Sequence, residues 1–88
     1  MMPATTPEIL IYSTATCPDC RALKAWLTSR GLAWTEKDMS DPAIMAEAKM
    51  RTGVRVAPIT LVGDQIFHGT FASQKPRLVE ALGLADAV

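Results

Sequence analysis

The chain has 88 residues, 49% of them hydrophobic, with nine basic side chains balanced by nine acidic ones. That apolar content builds one modest core and not two, so a single domain over residues 1–88 is expected, and a net charge of zero supplies no long-range field to gather nucleic acid. There is neither a basic leader followed by an apolar run nor an apolar stretch of membrane-spanning length, so a cytoplasmic monomer with no membrane partner is expected.

Residues 1–7 contain two prolines and little to bury, and a frayed terminus is expected there. Glu8 to Ser13 is nearly continuous in apolar character, as in a central strand covered on both faces. Ser13-Thr14-Ala15-Thr16 turns out of it, and Pro18 has the fixed φ that suits a first helical turn. A helix should therefore start at or just after Cys17, carry Ala22, Leu23, Trp26 and Leu27 on one stripe, and end with Gly31 as its C′ residue. Leu32 to Lys37 alternates enough to predict a second strand. Ser40 or Asp41 can cap the next helix, which begins near Pro42, runs through Ile44, Met45, Ala48 and Met50, and closes at Gly53.

Val54 to Val62 contains a third strand, beginning at Pro58 or lying at an edge there, because proline cannot donate to a sheet ladder. Gly63-Asp64 is a hairpin signal leading to a fourth, antiparallel strand over 65–68. Residues 69–72 read as a connecting loop, Ser73 as the N-cap of a last helix carrying Pro76, Leu78, Val79, Ala81 and Leu82, and residues 85–88 as a tail. The order is β-α-β-α-β-β-α. This α/β arrangement predicts a four-stranded mixed sheet with three helices and a right-handed crossover between the first two, parallel strands.

The chemistry concentrates at Cys17-Pro18-Asp19-Cys20, which holds both cysteines of the chain. Two cysteines two residues apart are too few for a disulfide scaffold, and suit redox chemistry or half a metal site. At a helix N-terminus, unpaired backbone N–H groups and the positive end of the dipole favour the thiolate of Cys17, the nucleophile of disulfide exchange. Cys20, one turn into the helix, should lie deeper and act as the resolving thiol. Asp19 should face solvent, either opposing ionisation of Cys17 weakly through its charge or serving simply as a first-turn acid that favours the helix dipole. A closed zinc site needs four ligands, and beyond the two cysteines only His68 and carboxylates are on offer, so redox chemistry is the reading and a metal-binding module the alternative. Trp26 and Trp34 are assigned to packing and His68 to the surface.

A strand ending in Tyr12-Ser13, Cys17-Pro18-Asp19-Cys20 at a helix start, Val56-Ala57-Pro58 entering the third strand and Gly69-Thr70-Phe71 after the fourth together resemble a glutaredoxin-type protein of the thioredoxin fold, over residues 8–84. The resemblance implies a dithiol–disulfide oxidoreductase that carries no cofactor and acts on a disulfide-containing protein, with glutathione or thioredoxin reductase as electron source. It implies a cis peptide bond at Ala57–Pro58 beside the thiols, with the Ala57 backbone pairing strand-like to substrate. Thr16, Pro18, Asp19, Val56, Ala57, Pro58, Gly69, Thr70, Phe71, Ala72 and Ser73 are the substrate-facing positions so implied. An iron–sulfur cluster shared between two chains occurs in the family, although Pro18 discourages it.

The chain departs from the glutathione-binding members in three places. Thr14 stands where many have a basic residue, Gly69-Thr70 where others have two glycines, and Ser73 near where others have an aspartate. N–H groups of Ala72 and Ser73 at a helix start could still hold a glutathione carboxylate, with Lys37, Arg51 and Arg55 as further candidates. The same departures occur in glutaredoxin-like redoxins that take electrons from thioredoxin reductase and serve ribonucleotide reductase. In that setting Phe71 would be either a docking surface for the flavoprotein or a core-packing residue.

Overall fold

The structure is a computed structural model that describes residues 8–84; the expected frayed terminus and tail lie outside the described residues. Along these residues run β1 (Ile9–Ser13), α1 (Pro18–Ser29), β2 (Thr35–Asp38), α2 (Pro42–Thr52), β3 (Ile59–Val62), β4 (Gln65–His68) and α3 (Phe71–Leu82). The sheet order is β2-β1-β3-β4, with β1 parallel to β2 and antiparallel to β3, and β3 antiparallel to β4.

The near-continuous apolar character of β1 follows from its central place, since successive residues serve opposite cores. Ile9 and Ile11 join Leu23, Trp26 and Leu27 of α1, Leu78 of α3, Val62 and Phe67 on one face. Tyr12 joins Ile59, Leu61, Met39 and Ala48 of α2 on the other, with Leu10 packed against them. β3 alternates in the same way, with Ile59 and Leu61 toward α2, and Val62 and Thr60 toward α1 and α3.

Two boundaries differ from expectation. β2 begins at Thr35 and not Leu32, because Leu32 is used to finish α1. Its N–H donates to Leu27 O at 3.0 Å while that of Gly31, at φ +72°, donates to Thr28 O at 3.0 Å, the two bonds of a Schellman ending. Leu32 and Trp34 then fold onto the α1/α3 core. α3 begins at Phe71 and not beyond Ser73: the Thr70 hydroxyl accepts the Ser73 N–H at 3.1 Å, making Thr70 the N-cap and turning the expected loop into the first turn. Pro76 falls inside that helix. β3 begins at Ile59, just after Pro58, and is an interior strand with β1 and β4 on its two sides. Asp41 caps α2, accepting the Ala43 N–H at 2.9 Å.

Candidate active site

Strand register brings three loops to one end of the sheet. Tyr12 pairs with Ile59 and Ile59 with His68, so the exit from β1, the entry to β3 and the exit from β4 are neighbours. These connections carry Cys17, Pro58 and Gly69-Thr70 respectively. The Ala57–Pro58 peptide is cis.

Cys17 is the N-cap of α1, with extended backbone at φ −95° and ψ 109°, and Pro18 follows in the first turn. In place of the oxygen that usually caps a helix, the Cys17 Sγ accepts the N–H of Cys20 at 3.1 Å. A bond of this kind is stronger to a thiolate than to a thiol. Cys17 is half-buried and Cys20 is fully buried, both as free thiols. Burial, reinforced by the hydrogen bond with Cys17, pushes the Cys20 thiol up to about 12. The pair thus presents one sulfur within reach of solvent and a second, protonated through the neutral range, directly behind it.

Asp19 does not face solvent freely. It is half-buried, and its Oδ1 accepts the N–H of Phe71, the first residue of α3, at 3.2 Å. The carboxylate ties the cysteine turn to the start of the last helix. Phe71 is half-buried, meets Trp26 edge-on with ring centroids 5.9 Å apart, and packs against the α1/α3 core, in line with the packing reading. Ala72 is exposed; the Ser73 N–H is already bonded to Thr70. Thr16, Pro18, Gly69 and Thr70 are exposed around the dithiol end, and Val56 is 74% exposed, while Ala57 is half-buried and Pro58 buried.

Gln74, absent from the residues read as functional, organises two of these loops. Fully buried on α3, it donates from Nε2 to Pro58 O and to Gly69 O, each at 2.9 Å, and its Oε1 accepts the Thr60 hydroxyl at 2.7 Å. Both amide protons and the carbonyl are used, so the cis-proline loop and the β4–α3 connection are fastened to one side chain. The sequence does hold its signal: a glutamine between Phe71 and Leu78 at helical spacing interrupts an apolar stripe and needs buried partners.

Other candidates lie elsewhere. Lys37 and Arg51 are engaged with Glu47, Lys37 Nζ lying 2.7 Å and Arg51 Nη1 3.8 Å from its Oε2. Arg55 and His68 are exposed. Among the described residues no group of three or more His, Cys, Asp or Glu converges as a metal site, and no helix is long and apolar enough to cross a membrane.

A buried thiol behind an accessible one at a helix N-terminus, on the end of a four-stranded sheet beside a cis-proline loop, defines a thioredoxin-fold dithiol protein. The glutaredoxin family model matches residues 9–67, and the chain belongs to the glutaredoxin family, whose members are thiol–disulfide oxidoreductases. It is 27% identical over 70 residues to the glutaredoxin-like protein NrdH of Lactococcus lactis subsp. cremoris, covering 80% of this chain and 97% of that one. Among solved structures it is similar to a glutaredoxin from Brucella melitensis, at TM-score 0.71 and 25% identity over 99% of this chain and 100% of that one. It is also similar to the glutaredoxin-like NrdH-redoxin from Escherichia coli, at TM-score 0.68 and 27% identity over 85% and 93% of the two chains.

Proposed function

We propose that this protein is a cytoplasmic dithiol reductant of protein disulfides, in which Cys17 attacks and Cys20 resolves. One observation carries the order of events: the accessible Cys17 Sγ accepts the Cys20 N–H at 3.1 Å while the Cys20 thiol is wholly buried. The Cys17 thiolate attacks one sulfur of the substrate disulfide, whose S–S bond breaks and releases a thiolate. Cys20 then attacks the Cys17 sulfur of the mixed disulfide, expels the second substrate sulfur as the thiolate that takes up the Cys20 proton, and leaves a Cys17–Cys20 disulfide. Two electrons have passed to the substrate.

The same geometry explains why the second step waits for the first. A thiol held near 12 is a poor nucleophile at neutral pH, and only the adjacency enforced by a single helical turn makes its attack competitive. The substrate segment lies along the Ala57 backbone, whose loop is fixed by Gln74.

The reductant we infer is thioredoxin reductase, and the protein substrate class includes ribonucleotide reductase. Thr14, Thr70 and Ser73 replace residues that hold glutathione in relatives. The Escherichia coli NrdH-redoxin, similar over most of both chains, is described as having a thioredoxin-like activity profile. The test pairs insulin reduction with two electron sources. Turnover with thioredoxin reductase and NADPH, and little with glutathione and its reductase, is expected; the reverse overturns the choice of reductant. A Cys20→Ser variant should trap a mixed disulfide and Cys17→Ser should be inactive, whereas equal loss without a trapped adduct overturns the order. Stoichiometric zinc or a visible cluster band with no reductase activity would replace this reading by a metal-binding one.

A further inference from the structure

We propose that Asp19 sets the charge preference of the dithiol, disfavouring small disulfides that carry carboxylates and leaving the site to neutral and basic ones. The inference rests on the dithiol exchange described above and names the residue that selects its partners.

A carboxylate stands between the two reacting sulfurs in sequence, and it is not a side chain free to swing into solvent. Asp19 is half-buried, and its Oδ1 is fixed on the Phe71 N–H at 3.2 Å. The same bond occupies one of the donors that would otherwise draw an anion to this end of the molecule. Of the N–H groups in the first turn of α3, that of Phe71 is taken by Asp19, and that of Ser73 by the Thr70 side-chain and main-chain oxygens, at 3.1 Å each. A helix N-terminus attracts carboxylates. Here a carboxylate of the protein already holds the first of those donors, so one arriving on a small disulfide would have to displace Asp19 and lie beside its charge.

Cations of the neighbouring segments do not reverse the balance. Lys24 is engaged with Glu36 at 2.7 Å, Lys75 on α3 lies over the Trp26 ring with Nζ 5.9 Å from its centroid, and Arg21 and Arg55 are exposed, where water and salt screen their pull. Asp19 is the charge that the fold fixes in the cysteine turn itself. A basic peptide segment flanking a substrate cystine gains from it what an acidic tripeptide loses.

The experiment mixes reduced protein rapidly with three symmetrical disulfides: cystamine, which is cationic, hydroxyethyl disulfide, which is neutral, and glutathione disulfide, which is anionic. In each, Cys17 attacks, one small thiolate leaves, Cys20 displaces the other, and the protein disulfide forms as the small disulfide is reduced to two thiols. Each rate is divided by the same protein's rate with the neutral disulfide, and the readout is the cystamine-to-glutathione ratio. Asp19→Asn keeps a carbonyl for the Phe71 N–H and removes the charge. It should lower the ratio about tenfold at low ionic strength, the effect of about 1.4 kcal/mol of charge repulsion, and by less at high salt. Asp19→Ala, which also vacates the N–H, should lower the ratio at least as far.

A ratio within about twofold of wild type in both variants, well under the expected repulsion, overturns the proposal, and so does a fall confined to Asp19→Ala, which would assign the effect to the N–H and not to the charge. These outcomes presuppose that the wild-type protein oxidises with the neutral disulfide. If it does not, the dithiol-exchange reading itself fails and the role of Asp19 with it.

Discussion

The two faces of the sheet are held by different kinds of interaction. Under α1 and α3, Leu23, Leu27 and Leu78 are fully buried against Ile9, Ile11 and Val62. Under α2, Ala48 is the one fully buried helix residue, Met50 is 88% exposed, and polar ties do more of the fastening. The Tyr12 hydroxyl donates to Glu47 at 2.6 Å and accepts from Arg51 at 3.1 Å, while Lys37 Nζ donates to Glu47 at 2.7 Å. Tyr12 itself is raised above its ordinary value, first by burial and then by its bond to Glu47. The helices that carry Cys17, Cys20, Asp19 and Gln74 are thus fixed mainly by apolar area, which does not titrate, with the Lys24–Glu36 ion pair as an addition on α1. The helix remote from the dithiol is fixed partly by charges, which do titrate. A site that must keep two sulfurs and two loops in register is placed where packing is strongest.

The sharpest way to break this contrast is to remove volume from each side. Leu23→Ala, at a fully buried position, should cost about 2–5 kcal/mol by urea denaturation, whereas Met45→Ala, at a half-buried position under α2, should cost less than about half of that. Equal losses would show that the α2 face is as tightly packed as the other.

A second, smaller effect separates stability from function on the α1/α3 side. Gln74→Leu leaves Pro58 O, Gly69 O and the Thr60 hydroxyl without their partner, and should cost about 1–3 kcal/mol. If substrate lies along these loops as proposed, insulin reduction by the folded fraction should also show a raised KM. An unchanged KM at reduced stability would make Gln74 structural only.

The smallest effect is electrostatic. Lys37 first, and then Tyr12, holds Glu47 below its ordinary 4.5; on the other face Lys24 and then Ser13 do the same for Glu36, also from 4.5. A carboxyl lowered on folding contributes stability that is present above pH 4.5 and is lost as pH falls through its lower folded value, since the unfolded chain then binds the proton first. Glu47→Gln should therefore weaken stability most at pH 7, and the difference from wild type should shrink as pH is lowered from 4.5 through the folded value, in thermal melts across that range. A constant difference at all pH values would remove ionisation from the account of the α2 face.

Much of this was legible in local sequence. The dithiol turn, Pro18 at the helix start, Gly31 and Gly53 at helix ends and the Gly63-Asp64 hairpin are each dictated by the φ a residue can adopt or the donor it lacks, and such constraints act within a few residues. Where local propensity does not distinguish neighbouring positions, context chose between them. Thr70 and Ser73 are both good caps, and Leu32 serves a strand or a Schellman ending equally well; in each case packing on the α1/α3 core goes with the shorter loop or the tighter turn.

What the sequence determined by itself is the pair of thiols and their order along a helix, because helix periodicity alone puts Cys20 one turn behind Cys17. Only the tertiary structure decided the partners of Asp19 and Gln74. Asp19 bonds a residue 52 positions away, and Gln74 bonds carbonyls 5 and 16 positions back. Hydrogen bonds of that reach depend on which strands are neighbours and which loops share an end of the sheet, and no local rule of propensity or spacing carries that information.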